Sequence, residues 1–216
     1  MIPPDVDCDT SYRNDVSIYL QVMGRPKVHG EEARSALLAA AERIAESEGL
    51  EAVSLRRLAA ETGLATRATY STFGSKAGLL DALGVAAFDW LGGLVAELPD
   101  TDNAAVDIVQ AGLQFRRLAV ERTAIYEVAS IRGWNADSDP QLPAASERAL
   151  EPLMRKFLRI VPAERFWDAF LGFHAICEGL AAIELGRGFP CDADPITAWT
   201  TALMTHLAGI VATVQA

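Results

Sequence analysis

Cysteine is scarce in this chain. The three present, Cys8, Cys177 and Cys191, are odd in number and far apart. They match no zinc-ligand spacing and set up no disulfide framework, which points to a reducing, cytoplasmic setting. No window approaches 18 consecutive apolar residues, so no membrane span is expected. The N-terminus carries Asp5, Asp7, Asp9 and Asp15 and no basic-then-apolar run, so no secretory signal is expected either. Sustained two-residue alternation is missing throughout, which argues against a sheet. There is no G-x-S-x-G, no phosphate-cradling glycine loop and no metal-ligand cluster. No catalytic residue, metal or cofactor is therefore assigned.

Positive charge is also short. Nineteen Lys/Arg stand against 29 Asp/Glu, a net −10 over 216 residues. The deficit is uneven. Residues 1–23 carry −3, residues 24–84 balance eight basic against eight acidic groups, and residues 85–216 carry −7. A nucleic-acid surface needs local positive charge rather than a basic whole chain, so the neutral segment stays open to that partner.

What is present is helical periodicity. Residues 1–22 show none and read as a tail, and Met23 stands as a second possible start. From Glu31, Leu37, Leu38, Ala41, Ile44 and Ala45 fall at spacings of three and four, and Gly49 closes the stripe. Ser54 caps a second helix, LRRLAAE. A third spans about 65–73, and a fourth begins at Lys76 behind Ser75 and runs to Leu98. Further helices are expected near 103–120, 122–133, 141–160, 164–187 and 194–214. The expected fold is all-α with about nine helices: a tail over 1–23, a small head over 24–84 and a larger unit over 85–216.

Residues 63–76, GLATRATYSTFGSK, are too polar for a core helix and too regular for a loop. Two short helices joined by the turn at Gly63 form a helix-turn-helix, whose second helix enters the DNA major groove. Thr66 and Arg67 lie in its first turn, and Tyr70 and Ser71 share much of that face. Arg67 has the geometry to read a guanine with two hydrogen bonds. Tyr70 offers a hydroxyl to a phosphate. Lys76 opens the next helix, where free N–H groups also favour phosphate. Phe73 pins the unit inward. Ahead of it, GRPK places Arg25 and Lys27 on a basic arm suited to the minor groove.

The stretch ARSALLAAAERIAESEGLEAVSLRRLAAETGLATRATYSTFGSKAGLLDAL resembles the N-terminal domain of TetR-family transcriptional regulators over about residues 31–83. The resemblance implies a homodimer with a DNA-binding head and a C-terminal ligand-binding and dimerisation domain. It puts Arg56, Thr66 and Arg67 at base-contact positions, and Ser54, Tyr70 and Lys76 at phosphate-contact positions. Three residues depart from the family pattern. Ala65 replaces a common capping Ser, Ala68 a phosphate-binding Thr, and Thr69 a buried aliphatic. Thr66 is then expected to take over the capping of the third helix.

The helix at 164–187 is apolar almost all round and needs two partners. Ala175, Gly179, Ala182 and Gly186 form a row of small residues along it. Ala198, Ala202, Thr205 and Gly209 form another on the last helix. Paired, the two rows suit a four-helix dimer interface. A small-molecule site is expected between the middle helices and 164–187, from Phe115, Tyr126, Trp134, Phe170, His174, Cys177 and Glu178. A buried Glu178 needs a partner, with Arg116, Arg117 and Arg132 as candidates. The reading is a cytoplasmic repressor released from operator DNA by an effector, with no membrane contact. Its rivals are a helical adaptor that uses the helix-turn-helix on protein, and a small enzyme using His174 and Glu178.

Overall fold

The computed structural model describes residues 27–133, 139–190 and 192–214. The tail at 1–23, Arg25 of the arm and Trp134 of the expected pocket lie outside the described residues, as does the side chain of Lys27. Nine α-helices occur among the described residues: α1 Lys27–Glu48, α2 Leu55–Thr62, α3 Thr66–Phe73, α4 Lys76–Ala96, α5 Ala104–Glu121, α6 Thr123–Arg132, α7 Gln141–Phe157, α8 Phe166–Gly186 and α9 Pro195–Val214. Single turns of 3-10 helix lie at Leu50–Ala52 and Ala163–Arg165. No strand occurs among the described residues.

The small helices of the head are set by local chemistry. Gly63 turns the chain between α2 and α3 at φ 68°, a left-handed conformation that costs a residue with a Cβ. Ser54 accepts the Arg57 N–H at 3.3 Å, and Ser75 accepts the Gly78 N–H at 3.1 Å. Both side chains therefore satisfy a free donor at a helix start. Leu37, Ala41 and Ile44 of α1 bury against Leu55 and Leu58 of α2 and Phe73 of α3.

α4 leaves the head without a break and becomes part of the body. Leu79 and Leu83 are buried near its start, and Phe88 and Leu91 reach the middle helices. It crosses α7 closely: a Cβ at Gly92 would stand 2.8 Å from the Ala149 Cα. α5, α8 and α9 close the body around Trp199, Leu203 and Leu207, all fully buried. α7 ends at Phe157, three residues before its expected end. There, turn bonds from Arg159 N to Lys156 O and from Ile160 N to Phe157 O tighten the chain.

Three segments, Lys76–Ala96, Ala163–Gly186 and Pro195–Val214, are long and apolar enough to cross a membrane by length and composition. Scattered polar residues interrupt each one, so none is an unbroken apolar run. In α4 the apolar surface serves the core. In α9 only 17% of the apolar window is buried within this chain, which leaves a face that needs a partner.

Gly92→Ala forces α4 and α7 apart against backbone. We expect it to destabilise the fold by about 1–3 kcal/mol in urea denaturation. An unchanged midpoint would mean that the two helices do not cross this closely.

Candidate nucleic-acid interface and internal cavity

α3 is anchored on one side and bare on the other. Thr69 and Phe73 are buried, while Thr66, Arg67, Ala68, Tyr70 and Ser71 are exposed. The Arg34 guanidinium lies 5.2 Å from the centre of the Phe73 ring. The N-cap is Ala65, whose carbonyl accepts from Ala68 N at 2.9 Å and Thr69 N at 3.2 Å. No side chain caps the helix, so the expectation that Thr66 takes that role is corrected. Thr66 is the first helical residue, and its hydroxyl lies past the position from which a cap reaches back. Thr69 keeps its place in the core by turning its hydroxyl to the Ala65 carbonyl, 3.5 Å away.

The cations of the head divide into used and unused. Arg57 makes a two-pronged pair with Glu48, one arm at 2.7 Å. Its neighbour Arg56 is exposed, and so is Arg67; neither pairs with a described residue. Lys76, at the start of α4, lies 3.5 Å from the Glu51 carbonyl and 3.7 Å from its carboxylate. Glu51 is fully solvent-exposed, so this contact is worth little and is easily exchanged. Ser54 is exposed while its side chain caps α2. Arg56, Arg67, Tyr70 and Lys76 therefore remain available to an anion on the outer side of the head.

A cavity of about 270 Å³ lies in the body, between α4, α5, α6, α7 and α8. Phe115, Tyr126, Phe170, His174 and Glu178 line it, five of the seven residues expected there. Cys177 does not. It is fully buried in the core, and burial pushes its thiol far above the ordinary range, with the Glu178 charge adding to the shift. Phe88, Trp167 and Phe173 also line the cavity, with Ser130, Ser146 and Glu147 as polar members.

Glu178 is the polar pole of this space. It accepts the Tyr126 hydroxyl at 2.7 Å and the Ser130 hydroxyl at 3.1 Å, and His174 Nε2 lies 3.8 Å away. The arginines expected to serve it are engaged elsewhere: Arg116 with Glu184, Arg117 with Glu121, and Arg132 with Asp81. The correction is from a charged partner to two hydroxyls. Burial drives the Tyr126 phenol well above its ordinary range, reinforced by its bond to Glu178, so it stays a donor. Burial holds His174 below its ordinary value, although Glu178 pulls the other way. The His174 ring stacks on Phe170 at 5.6 Å and meets Phe115 edge-on at 5.8 Å. Sequence reasoning named Tyr126 but missed Ser130. The signal was present, since Tyr126 and Ser130 sit four apart on α6 just as His174 and Glu178 do on α8.

On the outer face of α8, Ala175, Gly179, Ala182 and Gly186 are exposed. On α9, Thr205 and Gly209 are exposed, and Ala198 and Ala202 are half-buried. Leu171, Ile183, Ile196 and Met204 add exposed apolar surface on the same two helices. Among the described residues no cluster of three His, Cys, Asp or Glu could hold a metal ion.

Residues 37–83 match the family model described as bacterial regulatory proteins, tetR family. No curated protein matches the chain. Solved structures share the fold across most of its length. A protein of unknown function from Rhodococcus sp. RHA1 superposes with a TM-score of 0.72 at 23% identity, covering 82% of this chain and 94% of its own. A tetR-family transcriptional regulator from Streptomyces coelicolor gives 0.66 at 20% identity, over 89% and 83%. A TetR variant from Acinetobacter baumannii AYE, in complex with minocycline, gives 0.63 at 20% identity, over 83% and 97%.

If the exposed face of α3 carries no structural duty, Arg67→Ala should leave the unfolding free energy within about 0.5 kcal/mol of the parent. Thermal or urea melts check this. A larger loss would assign Arg67 to the fold.

Proposed function

We propose that this chain, whose residues 37–83 match the tetR family model, is a cytoplasmic, ligand-responsive repressor of that family acting as a homodimer. The observation that carries the reading is the exposed face of α3, with the Arg67 and Tyr70 side chains hydrogen-bonded to no described residue, on a helix anchored by buried Thr69 and Phe73. Arg67 and Arg56 read base edges, with Thr66 beside them. Tyr70, Lys76 and the Ser54 region hold phosphates, and the basic arm with Arg25 and Lys27 adds a minor-groove contact. The acidic charge of the chain lies mostly away from this head.

The dimer forms through the small-residue rows of α8 and α9, whose apolar faces are otherwise left to water. Two heads then meet two half-sites of a near-palindrome. The body cavity takes the effector; a protein of the same fold from Acinetobacter was solved in complex with minocycline. The effector lowers DNA affinity only if it binds the DNA-incompetent state more tightly. The enzymatic alternative would use His174 and Glu178 as its acid–base pair; they lie 3.8 Å apart, with Glu178 accepting the Tyr126 and Ser130 hydroxyls.

Fluorescence anisotropy with DNA from upstream of its own gene, over a salt series, tests the reading. We expect saturable binding that weakens steeply with salt as counterions are released. Arg67→Ala should cost about 1–3 kcal/mol, and Tyr70→Phe should weaken binding on all sequences alike. Weak, salt-insensitive binding that ignores both substitutions would favour a protein-binding adaptor.

A further inference from the structure

The chemistry of the cavity says more than that something binds there. Its described lining holds two carboxylates, Glu147 and Glu178, and no Lys or Arg. The larger unit around the cavity, 85–216, carries seven more acidic than basic groups. An anionic guest would therefore enter a field of its own sign, with no Lys or Arg among the described lining residues to offset it.

Glu178 has capacity left. A carboxylate offers about four lone-pair positions, and Tyr126 and Ser130 occupy two. His174 stands at 3.8 Å, beyond hydrogen-bond length, and burial disfavours its charged form. The remaining walls mix aliphatic side chains such as Leu91 and Leu153 with rings. Phe115 and Phe170 pack on His174 beside the pole, and aromatic faces attract cations through their negative quadrupole. Size sets the scale. A cavity of about 150 Å³ holds a benzene ring, so the space of about 270 Å³ suits one or two rings with a short polar arm.

We propose that this cavity selects a small aromatic cation, a one- or two-ring molecule with a single ammonium group that docks on Glu178. The proposal rests on the reading of the cavity as the effector site and names the class of effector. The rings of the guest fill the apolar part. The ammonium donates to the two open positions of Glu178 without displacing Tyr126 or Ser130.

The test is isothermal titration calorimetry on the full chain with three probes of one frame: naphthylethylamine, naphthylethanol and naphthylacetate. The amine should bind at least tenfold tighter than the alcohol, and the carboxylate more weakly than both. Glu178→Gln should remove the preference, leaving amine and alcohol within about twofold. Ser130→Ala keeps the carboxylate and frees one more position, so it should retain the preference even if the Gln variant folds poorly. An alcohol that binds as tightly as the amine, a preferred carboxylate, or no binding by any probe at millimolar concentration overturns the proposal. The same probes added to the protein–DNA complex separate the two layers. An amine that binds selectively but leaves DNA bound upholds the cation site and counts against the effector reading. An alcohol that binds equally well and releases DNA does the reverse.

Discussion

Two carboxylates on α1 join the halves of this molecule. Glu42 receives the Arg122 guanidinium through two bonds, at 2.6 and 2.5 Å. Glu46, one turn further along, accepts the Ala124 N–H at 2.7 Å. Both reach the N-terminus of α6, where free N–H groups and the helix dipole favour negative charge. Charge-assisted bonds of this kind are the stronger ones, and here they are half-sheltered from water. Arg122 also lies over the Trp90 ring of α4, so one side chain at the start of α6 touches both α1 and α4.

α6 is consequently held to the head at both ends. Its last residue, Arg132, reaches Asp81 on α4 at 2.6 Å, and Asp81 also accepts the Asp139 N–H. Between those fixings, the same helix presents Tyr126 and Ser130 to the cavity. A guest that binds Glu178 beside them acts next to a ten-residue helix tied to α1 and α4. Since α4 begins at Lys76, just after α3, the cavity and the exposed face of α3 are joined by a short set of contacts. That contiguity supplies a physical route for coupling, whose energy is a matter for measurement.

Most of the fold was legible because its signals are local. Gly49, Gly63 and Gly74 mark the ends of three helices, and each takes a positive φ. Ser54 and Ser75 cap the helices they were expected to cap. The buried stripe of α1 follows directly from its spacing. What failed was nonlocal. The partners of Glu178 lie 52 and 48 residues away, on a helix whose rotation no periodicity fixes. The arginines nearest in reasoning had other carboxylates nearer in space. Cys177 sits beside Glu178 in sequence but points into the core, because adjacent helical residues diverge by about 100°. Thr66 failed as a cap for a different reason: one position along a helix start decides whether a hydroxyl can reach back. The face of α3 was readable as exposed, and the DNA role proposed for it rests on chemistry rather than on contacts within the chain.

Selection of binding sites from a random duplex pool by the purified full-length chain tests the central claim most directly, since the operator sequence need not be known beforehand. The account predicts convergence on a near-palindrome whose two half-sites are read by two heads. Enrichment should collapse when the selection is repeated with Arg67→Ala. A pool that stays random after repeated rounds, with the protein folded, would contradict the claim that GLATRATYSTFGSK faces DNA.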